Sequence, residues 1–296
     1  METLKFTKKI MLAIWAFILI SLIPISVNGQ TTNTQVPEIT KAFSVKRDNL
    51  TIRGHSFLHN TQRPKPTVII SHGVNSSSKE ESNLYVKKIY QTGFNVFTFD
   101  FSGGGPKTIS DGKSTDMTIN SEERDLNSVL NYVRSLPTTN KQNIDLAGCS
   151  QGGLVTSLLA VKKQRDIHKL ILYYPAFSLP DNARAGKFPE ELSTLTFNPF
   201  HIPKVMEFMT GYYVGRNYML SLQKISPWFQ IKNFYKPVLI THGTADKTVP
   251  FNYSKKASYV FPLAKLVSIK DGTHGFPKQS MKDQAQQAVV KFLENK

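Results

Sequence analysis

Short, continuously apolar segments alternate with longer amphipathic segments over residues 67–174, and the alternation resumes over residues 237–293. Continuous apolar runs of about four to eight residues are typical of strands that are buried on both faces, as in a parallel sheet. In the longer segments, apolar residues recur every three or four positions, which indicates helices. The alternation therefore predicts an α/β fold with a mostly parallel central sheet and helices on both faces.

The bounds of the predicted elements follow from the same pattern. We expect strands at 42–45, 50–53, 67–71, 95–100, 144–147, 169–174, 237–241 and 266–269. We expect helices at 82–92, 121–135, 152–163, 253–260 and 281–293. Crossovers between parallel strands are right-handed, which leaves few arrangements of these elements.

Residues 176–231 break the alternation. This segment is rich in Phe, Tyr, Met and Pro and has no run that is typical of a parallel strand. We interpret it as a lid inserted over the sheet, with peripheral helices packed on the core as the alternative. The density of aromatic side chains favours a surface that contacts something apolar.

The N-terminal part of the chain has the composition of an export signal. Lys5, Lys8 and Lys9 precede a continuous apolar run at 10–25. This pattern predicts a signal peptide at 1–29, with an uncleaved membrane anchor as the alternative, because the run is short for a membrane span. A linker at 30–41 and one α/β domain at 42–296, which contains the segment at 176–231, follow. We expect a secreted or periplasmic protein.

Composition excludes several classes of function. The formal net charge is +16 with a pI of about 9.7, but the lysines are scattered and no basic tract is interleaved with aromatic residues. We therefore expect no nucleic-acid partner and interpret the basic residues as a solvated surface. The single cysteine, Cys149, cannot form an intramolecular disulfide. No zinc-ligand spacing occurs, and we expect neither a metal nor a cofactor.

A G-x-S-x-G pattern at 148–152 lies between the strand at 144–147 and the next helix. Such a turn projects a serine hydroxyl away from the backbone, and the flanking glycines avoid collisions with the neighbouring strand and helix. The context predicts Ser150 as a nucleophile, with an ordinary glycine-rich turn as the alternative. We expect the Cys149 side chain to be buried under the turn, away from the substrate.

The chemistry of a serine nucleophile requires a base and an orienting acid, and the ends of later strands supply both. His274 lies between residues of a polar turn after the last strand, and Asp246 follows the strand at 237–241. The order Ser, Asp, His matches the α/β-hydrolase arrangement. Asp271 is the rival to Asp246. The backbone N–H groups of Gln151 and of Val74, after His72-Gly73, are the expected oxyanion donors.

Other polar residues receive structural interpretations. We expect His72 and His242, each followed by glycine at a strand end, to shape loops by hydrogen bonding. Asp100 is expected to accept backbone hydrogen bonds in the loop that follows it. Glu122 and Asp125 are interpreted as the start and the polar face of a helix.

Several stretches together resemble a known family. They are His72-Gly73-Val74 with 78–81, 99–103, 146–155, 242–250 and 272–276. These stretches resemble the bacterial α/β-hydrolase family that contains feruloyl (cinnamoyl) esterases, which are serine carboxylesterases. The resemblance implies Ser150, Asp246 and His274 as catalytic triad, Val74 and Gln151 as oxyanion donors, and 176–231 as a lid that shapes the acyl pocket. Cys149 and Gly104 depart from the family, which usually has histidine at both positions.

These observations lead to one function and two alternatives. We expect an exported serine carboxylesterase that hydrolyses small esters, such as hydroxycinnamoyl or acetyl esters, free or attached to polysaccharide, through an acyl-enzyme. The first alternative is a serine peptidase of the same fold, which needs acidic residues for a substrate amine. The lid offers four candidates, Asp181, Glu190, Glu191 and Glu207. The second is a non-catalytic basic protein that binds anionic surfaces. A stable membrane partner is expected only if the signal is uncleaved, and the oligomeric state is left open.

Overall fold

A computed structural model describes residues 41–189 and 191–295. The predicted signal peptide and all of the predicted linker except Lys41 lie outside the described residues, as does Glu190. None of the helices in the described part is both long enough and apolar enough to cross a membrane.

The described part of the chain forms one eight-stranded sheet and a separate two-stranded hairpin. The strands are β1 Lys41–Arg47, β2 Leu50–Phe57, β3 Lys65–Ser71, β4 Asn95–Phe99, β5 Thr139–Cys149, β6 Leu170–Tyr173, β7 Val205–Met209, β8 Tyr212–Gly215, β9 Val238–Gly243 and β10 Ala264–Ile269. The large sheet has the order β1-β2-β4-β3-β5-β6-β9-β10. Pairs from β4 to β10 are parallel, and β1 and β2 add an antiparallel edge. The predicted mostly parallel α/β sheet is confirmed.

Helices connect the strands. They are α1 Ser78–Glu81, α2 Lys87–Gln91, α3 Ile119–Ser135, α4 Gln151–Lys162, α5 Leu179–Arg184, α6 Arg216–Gln223, α7 Pro227–Ile231, α8 Phe251–Val260 and α9 Gln279–Glu294. A π-helical turn at Ser82–Val86 joins α1 to α2, and a 3₁₀ turn at Ser114–Asp116 precedes α3.

The core lies on both faces of the sheet, which explains the continuous apolar runs of the central strands. Leu126 and Val129 of α3 and Leu154 of α4 pack on one face. Ile89 of α2 and Val289 of α9 pack on the other face. Each central strand is therefore covered by apolar side chains on both sides, and its polar connections emerge at the two ends of the sheet.

Two local features differ from the sequence-based prediction. The helix expected at 82–92 begins at Ser78 and contains a π-helical turn. The segment at 176–231 contains the antiparallel hairpin β7–β8, which the sequence pattern did not indicate. The turn of this hairpin holds Gly211 at φ 74°, a conformation that favours glycine. Thr210-Gly211 between two short apolar stretches was the available signal.

The aromatic residues of 176–231 mainly pack on one another. The rings of Phe188 and Phe208 lie 5.3 Å apart, and those of Phe208 and Tyr218 lie 5.7 Å apart, both edge to face. The buried ones belong to the same apolar cluster as Leu126 of α3 and Leu154 of α4, so the segment packs on the core of the domain.

Candidate active site

The serine turn has the strained geometry that the G-x-S-x-G pattern predicts. Ser150 adopts φ 50° and ψ −119° between β5 and α4. A Cβ atom at Gly148 would lie 2.5 Å from the carbonyl oxygen of Gly152, and one at Gly152 would lie 2.3 Å from that of His72. Both glycines are therefore required for the close approach of strand, turn and helix.

The structure brings Ser150, His274 and Asp246 into one chain of hydrogen bonds. The Oγ atom of Ser150 lies 3.1 Å from Nε2 of His274, and Nδ1 of His274 lies 2.7 Å from Oδ2 of Asp246. Ser150 follows β5, Asp246 follows β9 and His274 follows β10. Because these strands are parallel, their carboxyl ends meet at the same edge of the sheet.

Asp246, rather than the rival Asp271, faces the histidine. The side chain of Asp246 is fully buried, whereas Asp271 is exposed. Burial alone would raise the pKa of Asp246, but hydrogen bonds from His242 and His274 outweigh it and hold this pKa at about 2. The carboxylate therefore stays charged beside the imidazole over the whole neutral range.

The backbone N–H groups of Val74 and Gln151 lie in the two segments that adjoin Ser150. Neither group donates a backbone hydrogen bond to another described residue. Gln151 is the first residue of α4, where an N–H has no acceptor within its own helix. Val74 donates no backbone hydrogen bond to any described residue. Gly73 brings the Val74 loop close, since a Cβ atom on Gly73 would lie 3.2 Å from Cβ of Ser150.

His72 shapes the Val74 loop, as predicted. Its Nε2 accepts from the N–H of Phe101 at 2.9 Å, so its Nδ1 carries the proton and donates to the carbonyl of Gly73 at 2.6 Å. Burial lowers the pKa of His72, which favours this neutral form. A Cβ atom at Gly104 would lie 2.7 Å from the His72 ring. A larger residue at position 104 would therefore require His72 to move.

Ser150 and His274 line a cavity of about 490 Å³. Its wall has an apolar part and a polar part. The apolar part is formed by Val74, Leu84, Tyr174, Leu192 and Met209, and the polar part includes Ser76, Glu80, Glu81, Asn83 and Thr248. Cys149 also lines this cavity although only 1 % of its surface is exposed, so it is buried as predicted but does not point fully away from the site.

A buried network behind Gln151 was missed by the sequence reasoning. The side-chain amide of Gln151 lies 2.8 and 2.9 Å from the two carboxylate oxygens of Glu122. Tyr218 of α6 donates to Oε1 of Gln151 at 2.6 Å. Glu122 lies in the first turn of α3, as predicted, but it is only 1 % exposed, and this burial was not predicted. The network joins the nucleophile turn to α3 and to the segment 176–231.

Two other aspartates are buried polar anchors. Asp100 accepts from the N–H groups of Ser78 and Ile109, so the prediction that it holds backbone groups is confirmed. Asp125 lies on α3, as predicted, and its side chain is fully buried and accepts from Arg47 and from the backbone and hydroxyl of Ser102. Both carboxylates fix loops at the edge of the sheet that carries Ser150.

The fold and this site define an α/β hydrolase, and comparison with known proteins agrees. A family model described as serine aminopeptidase, S33, matches residues 62–210, about half of the chain. The chain belongs to this family of α/β hydrolases.

The chain is similar to a solved structure and to two curated sequences. The solved structure of Est1E from Butyrivibrio proteoclasticus with ferulic acid bound has a TM-score of 0.78 at 28 % identity, over 85 % of this chain and 97 % of that chain. The uncharacterized protein YfhR of Escherichia coli O157:H7 is 30 % identical over 70 % of this chain and 62 % of its own length. The α/β hydrolase domain-containing protein 17C of Xenopus tropicalis is 26 % identical over 68 % of this chain and 53 % of its own. The chain thus spans about three fifths of the length of these curated relatives.

Proposed function

We propose that the protein is an exported serine carboxylesterase that hydrolyses small esters through an acyl-enzyme. The observation that carries the proposal is the hydrogen-bonded chain from Ser150 through His274 to Asp246, which opens into the cavity. A serine hydroxyl is a weak nucleophile at neutral pH, and this arrangement activates it. The hydrolase family and the fold of Est1E support the same class of reaction.

In the acylation step, Oγ of Ser150 attacks the ester carbonyl carbon while Nε2 of His274 takes the hydroxyl proton. The electron pair of the carbonyl π bond moves to oxygen, and the N–H groups of Val74 and Gln151 stabilise this oxyanion. When the tetrahedral intermediate collapses, the ester C–O bond breaks and His274 gives its proton to the departing alcohol. Asp246 orients the ring and stabilises the imidazolium that forms between these two transfers.

Deacylation repeats the sequence with water. His274 takes a proton from the water as its oxygen attacks the acyl carbon, and the same two N–H groups hold the new oxyanion. The bond to Ser150 Oγ then breaks, the proton returns to Oγ, and the carboxylic acid leaves. No metal or cofactor is required by these steps.

The cavity supports small acyl groups. A volume of about 490 Å³ is at the lower end of the range of ligand sites. Leu84, Leu192 and Met209 provide apolar contact for an aromatic or short aliphatic chain. Ferulic acid is the ligand bound in the Est1E structure. We therefore propose hydroxycinnamoyl or acetyl esters, free or attached to polysaccharide, as substrates.

A serine peptidase is the second candidate, and two observations favour it. The matching family model is described as serine aminopeptidase. Glu80 and Glu81 line the cavity and could face a substrate amine. Of the acidic residues that the sequence suggested for this role, the three that the structure describes are placed elsewhere: Asp181 pairs with Arg184, and neither Glu191 nor Glu207 lines the cavity.

The test has two parts: a variant of Ser150 and a comparison of substrates. Ser150→Ala should lower turnover of a 4-nitrophenyl ester by at least about a thousandfold and abolish labelling by a fluorophosphonate. Ser258→Ala, at a partly exposed serine of α8, is the control and should retain activity. Methyl hydroxycinnamates, short acyl esters and aminoacyl anilides are then compared by kcat/KM. Preference for the anilides would replace the esterase by the peptidase, and retained activity in Ser150→Ala would overturn both.

Export has its own test. The full chain with a C-terminal tag should appear outside the cytoplasm in cell fractions, shortened at its N-terminus if the signal is cleaved. A chain that lacks residues 1–29 should stay inside. Equal distribution of the two chains would contradict the proposed export.

A further inference from the structure

Asp246 binds two histidines through one oxygen atom. Its Oδ2 lies 2.7 Å from Nδ1 of His274 and 3.0 Å from Nε2 of His242. The side chains of His242 and Asp246 are both fully buried. A second histidine on the orienting acid is not required by the mechanism described above, so its effect on that acid needs an explanation.

The surroundings of His242 fix which of its nitrogens carries the proton. Nε2 faces two acceptors, Oδ2 of Asp246 and the carbonyl oxygen of Val249 at 2.9 Å. A carbonyl oxygen can only accept, so Nε2 carries a hydrogen and donates to both. Nδ1 lies 2.6 Å from Oγ of Ser254 on α8, and in the neutral ring it accepts the hydroxyl hydrogen.

We propose that His242 is a positioning residue for the hydrolytic reaction: it holds the carboxylate of Asp246 in place and withdraws part of its charge, while Ser254 holds His242 in the tautomer that can donate. The proposal rests on the proposed function, since it assumes that His274 is the base.

Three donors fix the carboxylate. His242 and His274 share Oδ2, and the N–H of Val249 donates to Oδ1 at 2.8 Å. A carboxylate held at both oxygens cannot rotate away from the base. The shared oxygen also divides its charge between two N–H groups, so each interaction is weaker than it would be alone. Loss of the His242 donor would leave more charge on the side of His274.

The consequence is a change in pH dependence. Without the His242 donor, the carboxylate stabilises the imidazolium of His274 more strongly. His274 must be neutral to accept the proton of Ser150, so a higher pH is then needed for activity. The acid limb of the profile of kcat/KM against pH should therefore move upwards. A packing role for His242 would lower activity equally at all pH values.

Other charged and titratable groups lie around the pair, and Glu80 and Glu81 line the same cavity as His274. The ring of Tyr174 lies 4.7 Å from that of His274. Glu191 accepts from Thr248, two residues after Asp246, and Lys247 and Asp271 are exposed on the adjoining turns. None of these groups is changed in the variants below, so a displaced limb reports on the Ser254–His242–Asp246 chain.

The experiment uses the full chain and a 4-nitrophenyl ester between pH 5 and 9. His242→Met removes the donor at similar volume, and His242→Gln keeps an amide N–H near the position of Nε2. His242→Met should move the acid limb upwards by roughly half to one pH unit, the size expected for one hydrogen bond to a charged group. His242→Gln should restore most of this displacement. Ser254→Ala should move the limb in the same direction by less, and Ser258→Ala on the same helix should not move it.

Several results would overturn the proposal. A uniform loss of activity with an unmoved limb in His242→Met would assign His242 to packing, and equal displacement in His242→Gln would exclude the donor as the cause. If His242→Met does not fold, an unmoved limb in Ser254→Ala decides against the proposal. Absence of ester hydrolysis by the unchanged protein would instead reject the proposed function.

Discussion

The side-chain amide of Gln151 lies within 2.9 Å of both carboxylate oxygens of Glu122, in a place that water does not reach. Gln151 also provides one of the two proposed oxyanion donors through its backbone. The pair thus fixes the first turn of α4, directly after Ser150. Glu122, which lies 29 positions earlier in the chain, therefore holds Gln151, the residue after Ser150.

Removal of the Glu122 side chain should slow the chemical step. We expect Glu122→Ala to lower kcat about tenfold with little change in KM, because an oxyanion donor acts mainly in the transition state and is displaced rather than deleted. Steady-state kinetics with a 4-nitrophenyl ester measure both constants. Glu123→Ala is the matched control, since Glu123 forms an ion pair with Lys162 and not with Gln151. A rise in KM at constant kcat would contradict the role in the transition state.

Glu80 and Glu81 are neighbours in sequence, but they should change the dependence of stability on pH in opposite directions. Burial raises the pKa of Glu81 from 4.5 to about 7, whereas hydrogen bonds from Lys107 and Ser76 outweigh burial and lower the pKa of Glu80. A raised pKa means that the folded state binds the proton more tightly. The stability from Glu81 is therefore fully present below about pH 4.5 and is lost as the pH rises to 7.

Substitution should remove this dependence on pH. Relative to the unchanged protein, Glu81→Gln should gain up to roughly 3 kcal/mol in its free energy of unfolding between pH 4.5 and 8. Glu80→Gln should show a small change of the opposite sign, since this residue is partly exposed. Urea unfolding at several pH values measures both. Parallel curves for Glu81→Gln and the unchanged protein would contradict the raised pKa.

Cys149 should be unreactive although it is adjacent to the nucleophile. Burial raises the pKa of its thiol well above 9, so the reactive thiolate is scarce at neutral pH. We expect no adduct after native protein is treated with iodoacetamide at pH 8 and one adduct in urea, as seen by mass spectrometry. Modification of the native protein at the rate of a free thiol would show that this side chain is accessible from the cavity.

Esters with an anionic acyl group should be poor substrates despite the high positive charge of the protein. Glu80 and Glu81 line the cavity, and among the described residues no Lys or Arg does. Replacing a terminal methyl group of the acyl chain by a carboxylate should lower kcat/KM at least about tenfold at pH 8, where both glutamates are charged.

This penalty should decrease at pH 6, where Glu81 is largely neutral, and in the double variant Glu80→Gln/Glu81→Gln. The ratio of the anionic to the neutral ester is the measured quantity, which cancels any general loss of activity. An unchanged ratio in the double variant would assign the selectivity to another part of the cavity.

The sequence was sufficient to predict the three side chains of the site that follow the ends of strands. Ser150, Asp246 and His274 each follow an apolar run, and parallel strands end at the same edge of the sheet. Their convergence therefore follows from topology without any knowledge of packing. Asp246 was preferred to Asp271 on the same basis, because Asp271 precedes His274 on the same turn and is too close to reach round to its ring, and the structure places Asp246 beside His274.

The buried polar partners could not be predicted in the same way. Glu122 lies at the start of a helix, where acidic residues commonly face solvent and favour the helix dipole. Its burial depends on α4 and α6 packing on α3, and these contacts join residues distant in sequence. The hairpin β7–β8 was missed for a different reason: each of its strands is too short for a clear alternation of apolar and polar positions.

The proposed nucleophile, Ser150, and its proposed base, His274, are separated by 124 residues of chain. A ribosome must therefore complete almost the whole domain before the hydroxyl of Ser150 can meet an imidazole, and β10 must pair with β9 before His274 has a fixed position. A partly synthesised or unfolded chain contains the serine without the means to activate it. For a protein that crosses a membrane before it folds, this order of assembly would confine hydrolysis to the compartment in which folding is completed.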